Sequence, residues 1–245
     1  MPLRIAFDLD GVLADMESEL LRQAEQLFGE AMTTRLQERF DEQPAPDALA
    51  SAPPSADAEN APPVVRMNMT SRQTRRLWQH VESLENFWEG LRELEPGIVS
   101  RLAQIATERR WEIIFLTKRP ESAGATAQVQ TQRWLQAHGF PLPSVYVVQR
   151  SRGRIAAALE LDIVVDDRPE NCLDVVVDSK ARAILVWREA EAQLPPSARR
   201  LGVGVVSSVA ECLDILTKVD PAEQGRPNVL DRLRRLFGRP NDPVK

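Results

Sequence analysis

Six short apolar runs alternate with stretches of helical period, and this alternation narrows the possible folds most. The runs are LRIAFD at 3–8, WEIIFLT at 111–117, VYVV at 145–148, LDIVVDD at 161–167, ARAILVW at 181–187 and VGVV at 203–206. They are rich in β-branched residues and almost continuously hydrophobic, as strands buried on both faces are. Between them, Ile98, Leu102 and Ile105 recur at spacings of three and four within 97–109, and Val129, Trp134 and Leu135 share a broad face within 125–138. Residues 154–161 and 169–178 read the same way. Strand alternating with helix predicts βαβ units, a mainly parallel sheet and right-handed crossovers.

One interval breaks the rhythm. After Asp15, roughly eighty residues pass before the next strand, far more than an ordinary βα connection needs. The apolar spacing of Leu20, Leu21, Ala24, Leu27 and Phe28 predicts a helix over 16–40. That of Leu77, Trp78, Val81, Leu84, Trp88 and Leu91 predicts another over 71–92, with Ser71 as its cap. Between them 41–66 is rich in Pro, Ala and acid with no aromatic residue, a composition expected of a disordered or mobile linker. The division expected is therefore an α/β core from 1–15 and 95–220, a helical insertion over 16–94, and a tail over 221–245. The tail places Val229, Leu230, Leu233, Leu236 and Phe237 at helical spacing beside Arg232, Arg234, Arg235 and Arg239. Such a basic amphipathic helix suits either a membrane surface or packing on its own domain, and the second is the reading favoured here.

Composition removes several functions. Over 245 residues the formal net charge is −5, which argues against a nucleic acid polymer as partner. No apolar stretch approaches the ~20 residues of a membrane span. The first strand begins almost at Met1, with no leader-like segment before it, so a cytoplasmic protein is expected. Two cysteines, Cys172 and Cys212, stand far apart and predict neither a disulfide framework nor a zinc site. Two histidines, His80 and His138, leave little material for a Ser-His-Asp triad. Oligomeric state is left open.

In a parallel sheet, ligands bind beyond the carboxyl ends of the strands. Those ends carry Asp8, Thr117, Asp166 and Asp167, with Asp10 two residues past the first. Each alone reads equally well as a turn or cap residue. Together they make a carboxylate cluster that calls for a cation, and hard oxygen donors suit Mg²⁺.

At these residues the sequence resembles the haloacid dehalogenase (HAD) superfamily. The resemblance rests on FDLDGVLAD at 7–15, FLTKRP at 115–120, SRGRIAAAL at 151–159 and IVVDDRPEN at 163–171. The first and last of these look most like the 5′(3′)-deoxyribonucleotidase group. The resemblance implies a three-layer Rossmann-like core with a helical cap inserted after the first strand. It implies a phosphomonoester hydrolase working through an aspartyl-phosphate on Asp8. It implies that Asp10 protonates the leaving oxygen and then takes a proton from water. By the same resemblance, Asp8, the backbone carbonyl of Asp10, and Asp166 are expected to hold Mg²⁺, with Asp167 as a neighbouring or alternate ligand. Thr117 is expected by the resemblance to bind the phosphoryl group, and Lys118 and Arg119 beside it either add charge or are solvated. Arg152 stands about where the superfamily has a lysine, and Arg154 is a nearby competitor. The implied substrate is a small phosphorylated molecule, with a nucleoside monophosphate foremost and Phe28, Trp78, Phe87 or Trp88 as candidates for the base. The alternatives are a phosphatase of another small metabolite, a mutase or phosphonatase, and a non-catalytic phosphate- or partner-binding protein. The absence of lysine from 16–95 counts against a phosphonatase, which would need a Schiff-base lysine there.

Overall fold

The structure, a computed structural model, describes residues 2–29 and 69–218. The linker 41–66 and the tail 221–245 lie outside the described residues. Strand β1 (Arg4–Asp8) is followed by α1 (Met16–Phe28), α2 (Ser71–Ser83), a 3₁₀ turn (Phe87–Gly90) and α3 (Ile98–Arg109). Then come β2 (Glu112–Thr117), α4 (Ala127–Ala137), β3 (Ser144–Val147), α5 (Arg152–Ala158), β4 (Ile163–Asp166) and α6 (Pro169–Asp178). The order closes with β5 (Arg182–Val186), a 3₁₀ turn (Glu191–Gln193), α7 (Pro196–Arg200), β6 (Gly204–Val206) and α8 (Val209–Thr217).

The strands form one parallel sheet in the order β3-β2-β1-β4-β5-β6. Phe7 lies between Phe115 of β2 and Val165 of β4, so β1 is central and its register is fixed on both sides. The chain runs outward one way through β2 and β3 and the other way through β4, β5 and β6. The switch in strand order therefore falls between β1 and β4, where crossovers diverge and leave a crevice.

Alternation along the strands builds the two flanking layers. Ile5, Phe7, Ile163 and Val165 face one core with Leu102 and Ile105 of α3, Trp134 and Leu135 of α4, and Leu213 and Leu216 of α8. Ala6, Val164 and Leu116 face the other, with Ala156 of α5 and Cys172 and Val175 of α6. Cys172 and Cys212 are buried free thiols in opposite layers. No helix among the described residues is long and apolar enough to cross a membrane.

The inserted segment packs on the first of these cores. Leu20 and Ala24 of α1 share a cluster with Leu77, Trp78 and Val81 of α2. Three local expectations need correction here. Helix α1 ends at Phe28, with Gly29 at φ +85° after it, so the single helix expected over 16–40 is shorter. The cap of α2 is Thr70, not Ser71: its hydroxyl accepts from the Gln73 N–H while the Gln73 side chain reaches back to the Thr70 N–H. The helix expected to run to 92 stops at Ser83. Asn86 turns to φ +51°, donating its N–H to the Ala123 carbonyl at 2.8 Å and accepting the Ala125 N–H at 3.0 Å. The Asn86 N–H and side-chain Oδ1 thus bond across to the 123–125 segment in place of a continued helix. Helix α8 was not anticipated, although Ser208 caps it and Glu211 reaches back to Ser207, a legible pattern.

Candidate active site

The crevice gathers side chains from the ends of β1, β2 and β4, the loop after β5 and the start of α5. Asp8 ends β1 and is 8% exposed; Asp166 ends β4 and is 1% exposed. Two carboxylates buried so close repel each other and lose hydration. Burial is the main cause pushing the Asp8 carboxyl well above its usual range. Arg152 opposes this, while the charges of Asp166, Asp167 and Asp10 add to it. Asp166 is also raised by burial, against Arg152, the Arg168 N–H and Asn171.

Arg152 is the cation that touches both Asp8 and Asp166. It opens α5, where Ser151 caps the helix by accepting the Arg154 N–H. Its Nη2 donates to Asp8 Oδ1, and its Nε lies 3.6 Å from Asp166 Oδ2. The helix start is anchored from α6: Asp174 accepts the Ser151 hydroxyl at 2.6 Å and the Gly153 N–H at 3.1 Å. Gly153 lets the two helices touch, since a Cβ there would fall 2.2 Å from the Asp174 carbonyl oxygen. Arg154, the competitor, is exposed.

The turn after β1 is equally tied. Gly11 has φ +87°, which favours glycine, and a Cβ on it would lie 2.2 Å from Asp167 Oδ2, so any other residue would also have to displace the Asp167 carboxylate. Arg188, on the loop after β5, donates to the carbonyls of Gly11 at 2.6 Å and Val12 at 3.3 Å. Its partner Glu95 also accepts the N–H groups of Val209 and Ala210 at the start of α8. Beside this turn a small cleft is lined by Gly11, Met16, Asp167, Trp187 and Arg188.

Asp10 is held on the opposite side. Its carboxylate accepts from Arg119 Nη2 at 2.7 Å and Nε at 2.9 Å, and from the Thr117 hydroxyl at 3.2 Å. Lys118, between Thr117 and Arg119, is half-buried.

The structure thus brings Asp8, Asp166 and Arg152 into contact, sets Asp10 against Thr117, and packs Asp167 on Gly11. Arg119, weighed in the sequence only as added charge or a solvated side chain, is 1% exposed. The missed signal was its offset of two from Thr117, which in extended chain puts both side chains on one face. Asn171, also missed, donates to both oxygens of Asp166 at 3.0 Å. Of the aromatic candidates for a base, Trp78, Phe87 and Trp88 are buried in the core, and Phe28 lies beneath Arg76.

The donor set fits Mg²⁺. All its groups are hard oxygens, and Asp8 and Asp166 bring two carboxylates together in a buried crevice. Among the described residues, no three Asp, Glu, His or Cys side chains form a ready cage. Mg²⁺ does not need one, because it is usually held by one or two carboxylates, waters and substrate phosphate.

No protein-family model and no curated protein matches the sequence. Solved structures do match. A hydrolase from Pseudomonas syringae aligns at TM-score 0.50 and 15% identity, covering 89% of this chain and 99% of that one. A putative beta-phosphoglucomutase from Thermotoga maritima aligns at TM-score 0.50 and 19% identity, covering 89% and 100%. An HAD family hydrolase from Deinococcus radiodurans R1, solved with bound phosphate and sodium, aligns at TM-score 0.48 and 17% identity, covering 89% and 96%. The likeness at these identities is one of fold, and the first two structures carry it.

Proposed function

We propose that this chain, which has the HAD-type α/β fold, is a phosphomonoester hydrolase with Asp8 as its nucleophile. The observation that carries the reading is the setting of Asp8. It is a buried carboxylate at the end of the central strand, beside the switch in strand order, gripped by Arg152 and followed two residues later by a second positioned carboxylate.

The chemistry follows from that geometry. An Asp8 oxygen bonds to phosphorus as the ester P–O bond breaks, and the departing oxygen takes a proton from Asp10. Water then bonds to phosphorus, the Asp8–phosphorus bond breaks, and Asp10 accepts the water proton. Arg152 orients the nucleophile and presents positive charge to the phosphoryl oxygens, and Thr117 supplies a hydroxyl donor. Asp8, Asp166 and the Asp10 carbonyl would hold Mg²⁺, with Asp167 beside them, and the ion would offset the repulsion between anionic nucleophile and anionic substrate. The resemblance of FDLDGVLAD and DDRPEN favours a (deoxy)nucleoside monophosphate as substrate.

The test is phosphate release from a panel of nucleotides, sugar phosphates and aryl phosphates, with Mg²⁺ and with chelator. The reading expects Mg²⁺-dependent release from at least one ester class. No release from any ester by well-folded protein would refute it.

A further inference from the structure

Arg119 is among the largest fully buried side chains, and a guanidinium is seldom buried without a task. Its donors are assigned on two sides. Nε and Nη2 grip the Asp10 carboxylate as a fork, at 2.7–3.1 Å. Nη1 donates to the Thr131 hydroxyl of α4 at 2.9 Å, and that hydroxyl in turn donates to the Ala127 carbonyl at 2.7 Å. Its flat face is covered by the Trp88 ring, with the guanidinium carbon 4.9 Å from the ring centroid. Trp88 belongs to the 3₁₀ turn of the inserted segment. It is pinned there by its indole N–H on the Pro120 carbonyl and by its backbone N–H on Gln130, both at 3.0 Å. A planar cation fixed by a fork, a hydroxyl and a stacked ring has no rotational freedom left. It transmits that rigidity to the one carboxylate it holds.

We propose that Arg119 is a positioning residue for Asp10: it fixes the carboxylate that gives the departing oxygen its proton, and Trp88 makes the inserted segment part of that alignment. This rests on the phosphohydrolase reading above. In the first half-reaction the Asp8–phosphorus bond forms, the ester P–O bond breaks, and the proton on Asp10 passes to the ester oxygen. The need for that proton depends on the leaving group. An alkoxide must be protonated as it departs, whereas para-nitrophenolate departs without help. Misplacing Asp10 should therefore damage turnover of alkyl phosphates and largely spare an activated aryl phosphate. A lysine cannot restore the function, because a single ammonium supplies neither the fork nor a stacking plane.

The experiment compares kcat/KM of the full chain on β-glycerol phosphate and on para-nitrophenyl phosphate, both with Mg²⁺. This parameter reports only steps through release of the alcohol. Arg119→Ala should lose about 10²-fold or more on the alkyl ester, the usual scale of general acid catalysis, and far less on the aryl ester. Arg119→Lys should behave like Arg119→Ala. The double variant with Asp10→Asn should be no worse than Asp10→Asn alone, since Arg119 acts only through that carboxylate. If Arg119→Ala does not fold, Thr131→Val removes one contact and should give a smaller loss of the same selectivity. Equal loss on both esters, a gain on the alkyl ester, or an additive double variant would overturn the inference and leave the phosphohydrolase reading standing. A wild-type protein inactive on both esters and on the whole panel would remove both.

Discussion

Asp8 is where stability and activity pull apart. A carboxyl whose pKa is higher in the fold than in the unfolded chain costs stability wherever it is ionised. The cost is present at neutral pH and is relieved as pH falls through the raised value. Burial raises Asp8 more than Arg152 lowers it. In metal-free buffer at neutral pH, Asp8→Asn should therefore melt higher than wild type while losing all turnover. Its advantage should shrink on acidification, as the wild-type carboxyl becomes neutral too. Thermal melts of both proteins across that pH range check this, and a variant that melts lower at neutral pH contradicts it. Arg152 is the neighbouring test. Arg152→Ala removes the donor to Asp8 and should lower turnover by about 10²–10³, the cost of one positioned donor to a developing charge. Arg152→Lys should retain most turnover, since an ammonium keeps a positive charge beside Asp8. Arg154→Ala, at an exposed position, should change little. Initial rates of the three variants on one ester separate these outcomes.

At the scale of elements, helix α5 is held against α6 by a contact that only glycine permits. Gly153→Ala drives a Cβ into the backbone carbonyl of Asp174, which has no flexible end to give way. The change should cost about 1–3 kcal/mol, the range for overpacking, and should show as a lower Tm. It should also lower turnover, because Arg152 is carried on the same first turn. An unchanged Tm would mean that the two helices separate freely. The elements themselves were largely legible in the sequence. Strands such as Ile163–Asp166 are buried on both faces, so their residues are apolar throughout and stand out without knowledge of their neighbours. Helix α6 carries its own starting signal in Pro169. What was not legible depends on partners distant in the chain. Helix α2 stops where Asn86 meets Ala123 and Ala125, and nothing between 71 and 92 announces them. Arg119 reads as one cation among many until Asp10, Thr131 and Trp88 surround it. Asp8, Asp10, Asp166 and Arg152 could be singled out because they sit at strand and helix starts or ends within motifs. Their contacts could not be read, because those depend on β1 lying next to both β2 and β4.

For the whole molecule, sheet order turns separate motifs into one site. Asp8, Asp166 and Thr117 end β1, β4 and β2, three strands adjacent in space but far apart in sequence. The inserted segment reaches the same crevice through Trp88, and the last described helix reaches it through Glu95 and Arg188. These contacts converge on the crevice beyond the carboxyl ends of β1, β2 and β4, where Asp8 is the proposed nucleophile. The most direct measurement is to quench the enzyme during turnover of an ester it hydrolyses and reduce it with borohydride, which converts an aspartyl phosphate to homoserine. Peptide mass mapping then reads which residue changed. The account predicts homoserine at position 8, dependent on substrate and Mg²⁺ and absent from Asp8→Asn. An active enzyme with the modification at another residue, or an Asp8→Asn variant that still turns over, would contradict it.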